Sequence, residues 1–372
     1  MNLRLLSIII HVLLSLCLLF GCVNEKKTEA VSSLVYETEK VQADMSEYVS
    51  DVDFMPLRPI GEHFVGRVDK VACMADRIYV ADCRANKLFC YDMDGNPKGV
   101  VARHGRGPGE YLEIHDISVD GDRIYILDNS VGKLLVYDSS DFSFKYDLKL
   151  PFNVWDFEVL SDGGFIFAYA PSQGNPVKEK SKRYRVFITD GELRVKDSKF
   201  EYGTNETDAF MFRNYLSVYG EKVVYASLAD DSYHIFDRRS GEYLKSVEIR
   251  LEDALPPGER SDISMLSESN LSYQNEVPVL CDGYAVFKFT IKGIGTECFI
   301  CSDRNIFHTN PPGTMKDAIF GIVAGNGNHL IANWGSNQIY SYVISSGFAK
   351  AEPEDEALIL DNYAFLVKYS MK

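Results

Sequence analysis

Between residues 66 and 150 the apolar positions come in short bursts bounded by Asp, Gly and Asn, and the bursts repeat. Arg77-Ile78-Tyr79-Val80-Ala81-Asp82 is followed by Lys87-Leu88-Phe89-Cys90-Tyr91-Asp92. Arg123-Ile124-Tyr125-Ile126-Leu127-Asp128 and Lys133-Leu134-Leu135-Val136-Tyr137-Asp138 follow at one offset, 123 − 77 = 133 − 87 = 46 residues. An alternating run precedes each pair (68–73 and 114–119) and a weaker one follows (98–103 and 144–150), so each repeat reads as four short strands. A period of this size built from four strands is the signature of a propeller blade.

The remaining chain continues the pattern more loosely. A third blade is expected at 154–160, 164–169, 184–189 and 196–201, with an inserted loop at 171–182. The fourth takes 215–219, 222–227, 233–237 and 244–250, followed by a polar insertion at 252–276. The fifth takes 277–281, 284–290, 297–302 and 305–309, and the sixth 318–324, 329–334 and 338–344. Residues 354–360 allow a short helix, whereas Tyr363, Phe365, Val367, Tyr369 and Met371 alternate as in a strand. A terminal strand there, beside or instead of the strand at 49–57, completes the sixth blade and shuts the ring without leaving a long sheet edge. The expectation is an all-β, six-bladed β-propeller of four-stranded blades over residues 49–372, closed by pairing of the chain termini.

The first 21 residues differ in kind. Arg4 is followed by an apolar run, Leu5 to Phe20, too short for a spanning helix and ending in Leu19-Phe20-Gly21-Cys22. This predicts a signal peptide over 1–21 with lipidation at Cys22, then a polar tether over 22–48. The whole chain carries a net charge of −15, with 39 basic and 54 acidic residues; removing Arg4 with the signal makes it 38 − 54 = −16. That acidity argues against nucleic acid and anionic membrane surfaces as partners. Six cysteines remain beyond Cys22, and export allows disulfides whose pairing the sequence leaves open. Cys298-Phe-Ile-Cys301 has the spacing of a metal or redox pair, but an odd offset on a strand sends the two side chains to opposite faces.

The blocks at 77–82 and 86–92 resemble an NHL-type propeller repeat. Joined to the lipobox and to His104-Gly-Arg106-Gly-Pro-Gly-Glu110-Tyr111, Asp116-Ile-Ser-Val and Ile124–Asp128, they resemble the six-bladed β-propeller lipoproteins of Bacteroides-group bacteria, whose function is uncharacterised. The ending Asp361-Asn362-Tyr363 to Lys372 is similar to that family's tail, with Tyr363 where Pro is common. The resemblance implies the fold and a cell-envelope location, with the outer membrane as the anchoring surface; it implies no mechanism.

In a propeller, loops leading into inner strands and loops between second and third strands share one face. Both long insertions fall on that side, which is therefore the expected binding face. Candidate ligand contacts there are Arg103, His104, Arg106, Glu110, Tyr111, His115, Asp116, Trp155, Arg213 and Asn214. The glycines of 103–111 could form an anion-binding nest with Arg103 and Arg106, or simply shape a tight crossover that Glu110 fixes. Lys70, Asp116, Asp156, Tyr215 and Ile319 align in one inner-strand column, a poor cage for calcium, which wants six to eight oxygens. His104 and His115 are possible acid and base. Asp82, Asp92, Asp128 and Asp138 read as turn-capping carboxylates, and Trp155 and Trp334 as core or stacking residues. The leading reading is a membrane-tethered monomeric binding or scaffold module for a peptide, glycan or protein, with no catalytic residue, metal or cofactor assigned. The alternative is a metal-dependent hydrolase or lyase.

Overall fold

The computed structural model describes residues 32–35, 48–152, 154–169, 183–202, 212–260, 270–292, 294–301, 306–308, 319–345, 347 and 350–372. The described residues form six antiparallel sheets whose inner strands follow one another around a closed ring. Blade one is built from Lys70–Met74, Arg77–Asp82, Lys87–Asp92 and Pro97–Val101. Blade two repeats it with Asp116–Asp120, Arg123–Asp128, Lys133–Asp138 and Phe144–Lys149. The inner strands of blades three, four and five are Asp156–Val159, Leu216–Tyr219 and Val279–Cys281. Blade six combines Ile322–Asn326, His329–Ala332, the C-terminal Phe365–Met371 and the N-terminal Val49–Pro56.

The two chain ends pair antiparallel along Val49–Pro56, with Phe54 opposite Val367, so the terminal strand lies beside the Phe54 strand and does not replace it. Lys372 N donates to Tyr48 O at 2.8 Å, extending the pairing to the residue before this strand. The core is a set of wedges between neighbouring blades. Tyr79, Ile117, Ile126 and Tyr137 fill the one between blades one and two, and Met55, Val80, Phe89 and Leu366 the one between six and one. Apolar burial on both faces of the second and third strands explains their near-continuous hydrophobic runs, whereas outer strands such as Phe144–Lys149 stay largely exposed and alternate weakly.

Three features depart from or extend the sequence pattern. The strand expected at 338–344 is instead helix α1, Asn337–Ser345, because the third strand of blade six comes from the C-terminus. A second helix, α2 at Pro353–Leu360, has Pro in its first turn and three acidic residues there, which suits the positive end of the helix dipole. Within the expected tether, Ser32–Val35 pairs parallel with Val247–Arg250, adding a fifth strand to blade four. The loops at 171–182 and 310–317 lie outside the described residues, as does Cys22.

The recurrent aspartates hold turns. Asp82 accepts from Gly66 N, Arg67 N and Ala85 N at 2.9, 3.0 and 2.8 Å, and Asp128 accepts from Leu112 N and Val131 N. Asp92 and Asp138 take backbone N–H groups of their own turns and a lysine each, Lys98 and Lys145. Asp190 and Asp237 likewise take backbone N–H groups of their own turns in blades three and four.

Candidate functional site

In blades one to three the first residue of the inner strand faces its counterparts across the channel, and the residue before it lies towards the loop-rich face. Lys70, Asp116 and Asp156 occupy equivalent positions, as shown by their pairing with Ala81, Leu127 and Ala168. Lys70 Nζ bonds Asp116 and lies 3.2 Å from Asp156 Oδ1. The carboxylates also tie successive blades together. Asp116 Oδ2 accepts from Phe157 N at 3.1 Å, and Asp156 Oδ2 from Tyr215 N and Leu216 N at 2.6 and 2.8 Å. These bonds supply partners for inner-strand N–H groups that face the channel and have no neighbouring strand there.

Burial alone would lower Lys70, but Asp116, Asp156 and Glu158 raise it well above the ordinary lysine range, so it is a fixed cation. Burial pushes Asp116 far up, an effect the Lys70 charge opposes and the Asp156 charge reinforces. Two carboxylates thus meet at one ammonium in the channel, and the charge of a third, Glu158, acts on it from the layer below. Among the described residues no group of three or more His, Cys, Asp or Glu is arranged to hold a metal ion.

Below this layer, Ser118 Oγ donates to Glu158 Oε2 at 2.5 Å and accepts from Val159 N. Arg238 comes in from the opposite face, from the turn after the third strand of blade four. It donates to Val119 O at 2.8 Å and lies 3.3 Å from Asp120. A cavity of about 60 Å³ lies here, lined by Ala72, Glu158, Ser217, Arg238, Val279 and Gly325 among others. This is room for a few water molecules.

Above the Lys70 layer a circuit of contacts runs around the mouth. His115 Nε2 lies 3.0 Å from Trp155 O, with the two rings edge to face. Trp155 Nε1 donates to Phe212 O at 3.0 Å and Arg213 O at 3.3 Å. From blade four, the Arg213 guanidinium reaches blade one and donates to Asp69 Oδ1 at 2.7 Å, an oxygen that also accepts from Arg67 Nε. Asp69 Oδ2 accepts from Cys83 N. Burial would raise the Asp69 carboxyl, but the bonds from Arg213 and Arg67 hold it below the usual range.

Of the residues expected from sequence, His115, Trp155 and Arg213 come together at the mouth, above the Asp116 carboxylate, while Asn214 is half-buried next to Arg213 in the chain. Arg103, His104, Arg106 and Glu110 are exposed on the crossover, and Glu110 folds back to accept from Gly107 N at 2.7 Å. Tyr111 is a correction: it is fully buried, its hydroxyl donating to Asn86 O and Val101 O at 3.0 Å, which puts it out of reach of a ligand. Trp334 likewise lies in the core, stacked on Phe320. Sequence reasoning missed Asp69, Arg67, Glu158 and Arg238. Asp69 is equivalent to His115 and Trp155, so only a comparison of positions immediately before each inner strand could have found it.

A closed ring of six blades with side chains from four of them meeting at one end of its channel defines a six-bladed β-propeller with an axial candidate site. The chain belongs to the DUF5128 family of 6-bladed beta-propellers, whose family model matches residues 23–277. It is similar in fold to a protein from Bacteroides fragilis described as a candidate for export: 16% identity, TM-score 0.70, 92% of this chain and 99% of that chain covered. It also resembles a member of the duf4221 family from Bacteroides vulgatus, with 10% identity, TM-score 0.53, and 87% and 97% of the two chains covered. Among curated proteins none matches the chain.

Proposed function

We propose that this chain is an exported propeller, tethered to a membrane through lipidated Cys22, that acts as a binding module through its loop-rich face. The observation that carries this reading is the mouth itself, where Asp69, His115, Trp155 and Arg213 from four blades form one connected rim around the channel. Sites are characteristically built this way, on loops positioned by a rigid scaffold. The competing reading, a metal-dependent hydrolase or lyase, would use the converging carboxylates. Here the Lys70 ammonium occupies the position between Asp116 and Asp156, so a metal ion would have to displace it to contact both carboxylates. Metal analysis of the purified mature protein, with a thermal-shift screen against divalent cations, tests this. No stoichiometric metal and no cation-dependent shift is the expected outcome; one tightly held calcium or zinc per chain would overturn the binding-module reading.

A further inference from the structure

Among the described residues at the mouth, Arg67 and Arg213 have unspent donor capacity. Each side chain is about half exposed, 56% and 50%, while the Asp69 they share is fully buried. One carboxylate therefore serves two guanidiniums, leaving a net positive charge on a chain whose overall charge is −15. Each guanidinium spends one nitrogen on Asp69 Oδ1, and neither has a second protein partner among the described residues. Because both donors meet one oxygen, the two heads stand side by side. Their remaining N–H groups have the planar fork geometry that matches a carboxylate.

The surroundings narrow the ligand. Two further polar groups of the rim are bonded within the protein: His115 Nε2 lies against Trp155 O, and Trp155 Nε1 donates to the carbonyls of Phe212 and Arg213. Beside the arginines stand the half-buried, edge-to-face rings of His115 and Trp155. An apolar side chain next to a carboxylate would be matched by rings and guanidiniums together. The site lies on the ring axis, which suits the end of a chain better than its middle.

We infer that the mouth binds the C-terminal carboxylate of a peptide ending in an apolar residue, gripped by the Arg67 and Arg213 forks. This rests on the reading of the loop-rich face as the binding face and adds the ligand class. Asp69 holds the two heads in register from below, and Trp155 fixes the backbone from which Arg213 extends.

The test uses the full mature chain, titrated at low salt with N-acetyl-Ala-Phe as the free acid, with its C-terminal amide, and with glucuronate. The free acid is expected to bind at least tenfold more tightly than the amide, and Arg67→Gln and Arg213→Gln are each expected to weaken it at least tenfold. Arg213→Lys, which keeps the charge and loses the fork, should also weaken it; unchanged circular dichroism in all three variants shows that the fold persists. Equal binding of acid and amide, or binding that ignores both arginine variants, overturns the carboxylate inference. In that case weaker binding by Trp155→Ala would still leave the mouth as the binding site. Binding of glucuronate without the peptide replaces the peptide by an acidic sugar, and no binding of any probe overturns the inference outright.

Discussion

Lys70 Nζ lies 3.2 Å from Asp156 Oδ1 although the two residues start inner strands two blades apart, with Asp116 of the intervening blade bonded to the same ammonium. The lysine is thus a three-blade clasp. Lys70→Met would leave Asp116, Asp156 and Glu158 buried beside one another without that cation. Removing one partner of a buried ionic cluster costs roughly 3–5 kcal/mol. Urea unfolding should show a loss of this size; a loss under about 1 kcal/mol would mean that the cluster is neutralised in another way.

Gly109 and Arg106 sit three residues apart on the crossover between blades one and two and should respond oppositely. Gly109 has φ +71°, and a Cβ there would stand 2.5 Å from Cγ of Phe144. Its carbonyl accepts from Tyr137 Oη at 2.9 Å, so the loop cannot move away freely. Gly109→Ala should destabilise by about 2 kcal/mol through strain and overpacking. Arg106 is exposed, and Arg106→Glu should stay within roughly 0.5 kcal/mol of the parent in the same denaturation experiment.

Two carboxylates should give opposite pH signatures. At Asp92 burial would raise the carboxyl, but Lys98 and Asn96 bring it down to about 2. A depressed carboxyl stabilises the fold above its unfolded value, about 3.9, and that stability is lost as the pH falls through the folded value. The deficit of Asp92→Asn, roughly 1 kcal/mol at pH 7, should therefore vanish towards pH 2. Glu158 is raised by burial, with Lys70 and Ser118 opposing. Its ionisation works against folding as the pH rises from its unfolded value, about 4.3. Relative to the parent, Glu158→Gln should thus gain stability between pH 4 and 7. Melting temperatures measured across pH 2–8 check both signs.

Deleting residues 363–372 should abolish cooperative folding. The deletion strips blade six of its third strand and leaves Val49–Pro56 and His329–Ala332 without their shared partner. Soluble expression with a single sharp thermal transition would contradict this.

Cys22→Ala should move the protein from the membrane fraction to the soluble fraction. Unchanged sedimentation would remove the lipid-anchor proposal.

Much of the fold was legible because blades one and two repeat with little variation. Arg77–Asp82 and Arg123–Asp128 are second strands buried on both faces, where packing demands the same residue types. The reading failed where an apolar run carried no period long enough to decide. Residues 338–344 alternate tolerably as a strand, yet form α1 because Phe365–Met371 takes the place in the sheet. The site was legible in part. His115, Trp155 and Arg213 were placed at the mouth by loop topology alone. Asp69 and Arg238 were not, since a reach from blade one to blade four, or from the far face to Val119, leaves no trace in local sequence.

The outer strand of blade six, Val49–Pro56, is made early, and its partner, Phe365–Met371, is the last strand of the chain. A ring closed in this way cannot finish before Phe365–Met371 has been made, and until then Val49–Pro56 lacks its partner in the sheet. Closure is then a non-local step, with the slow kinetics expected of long-range β pairing.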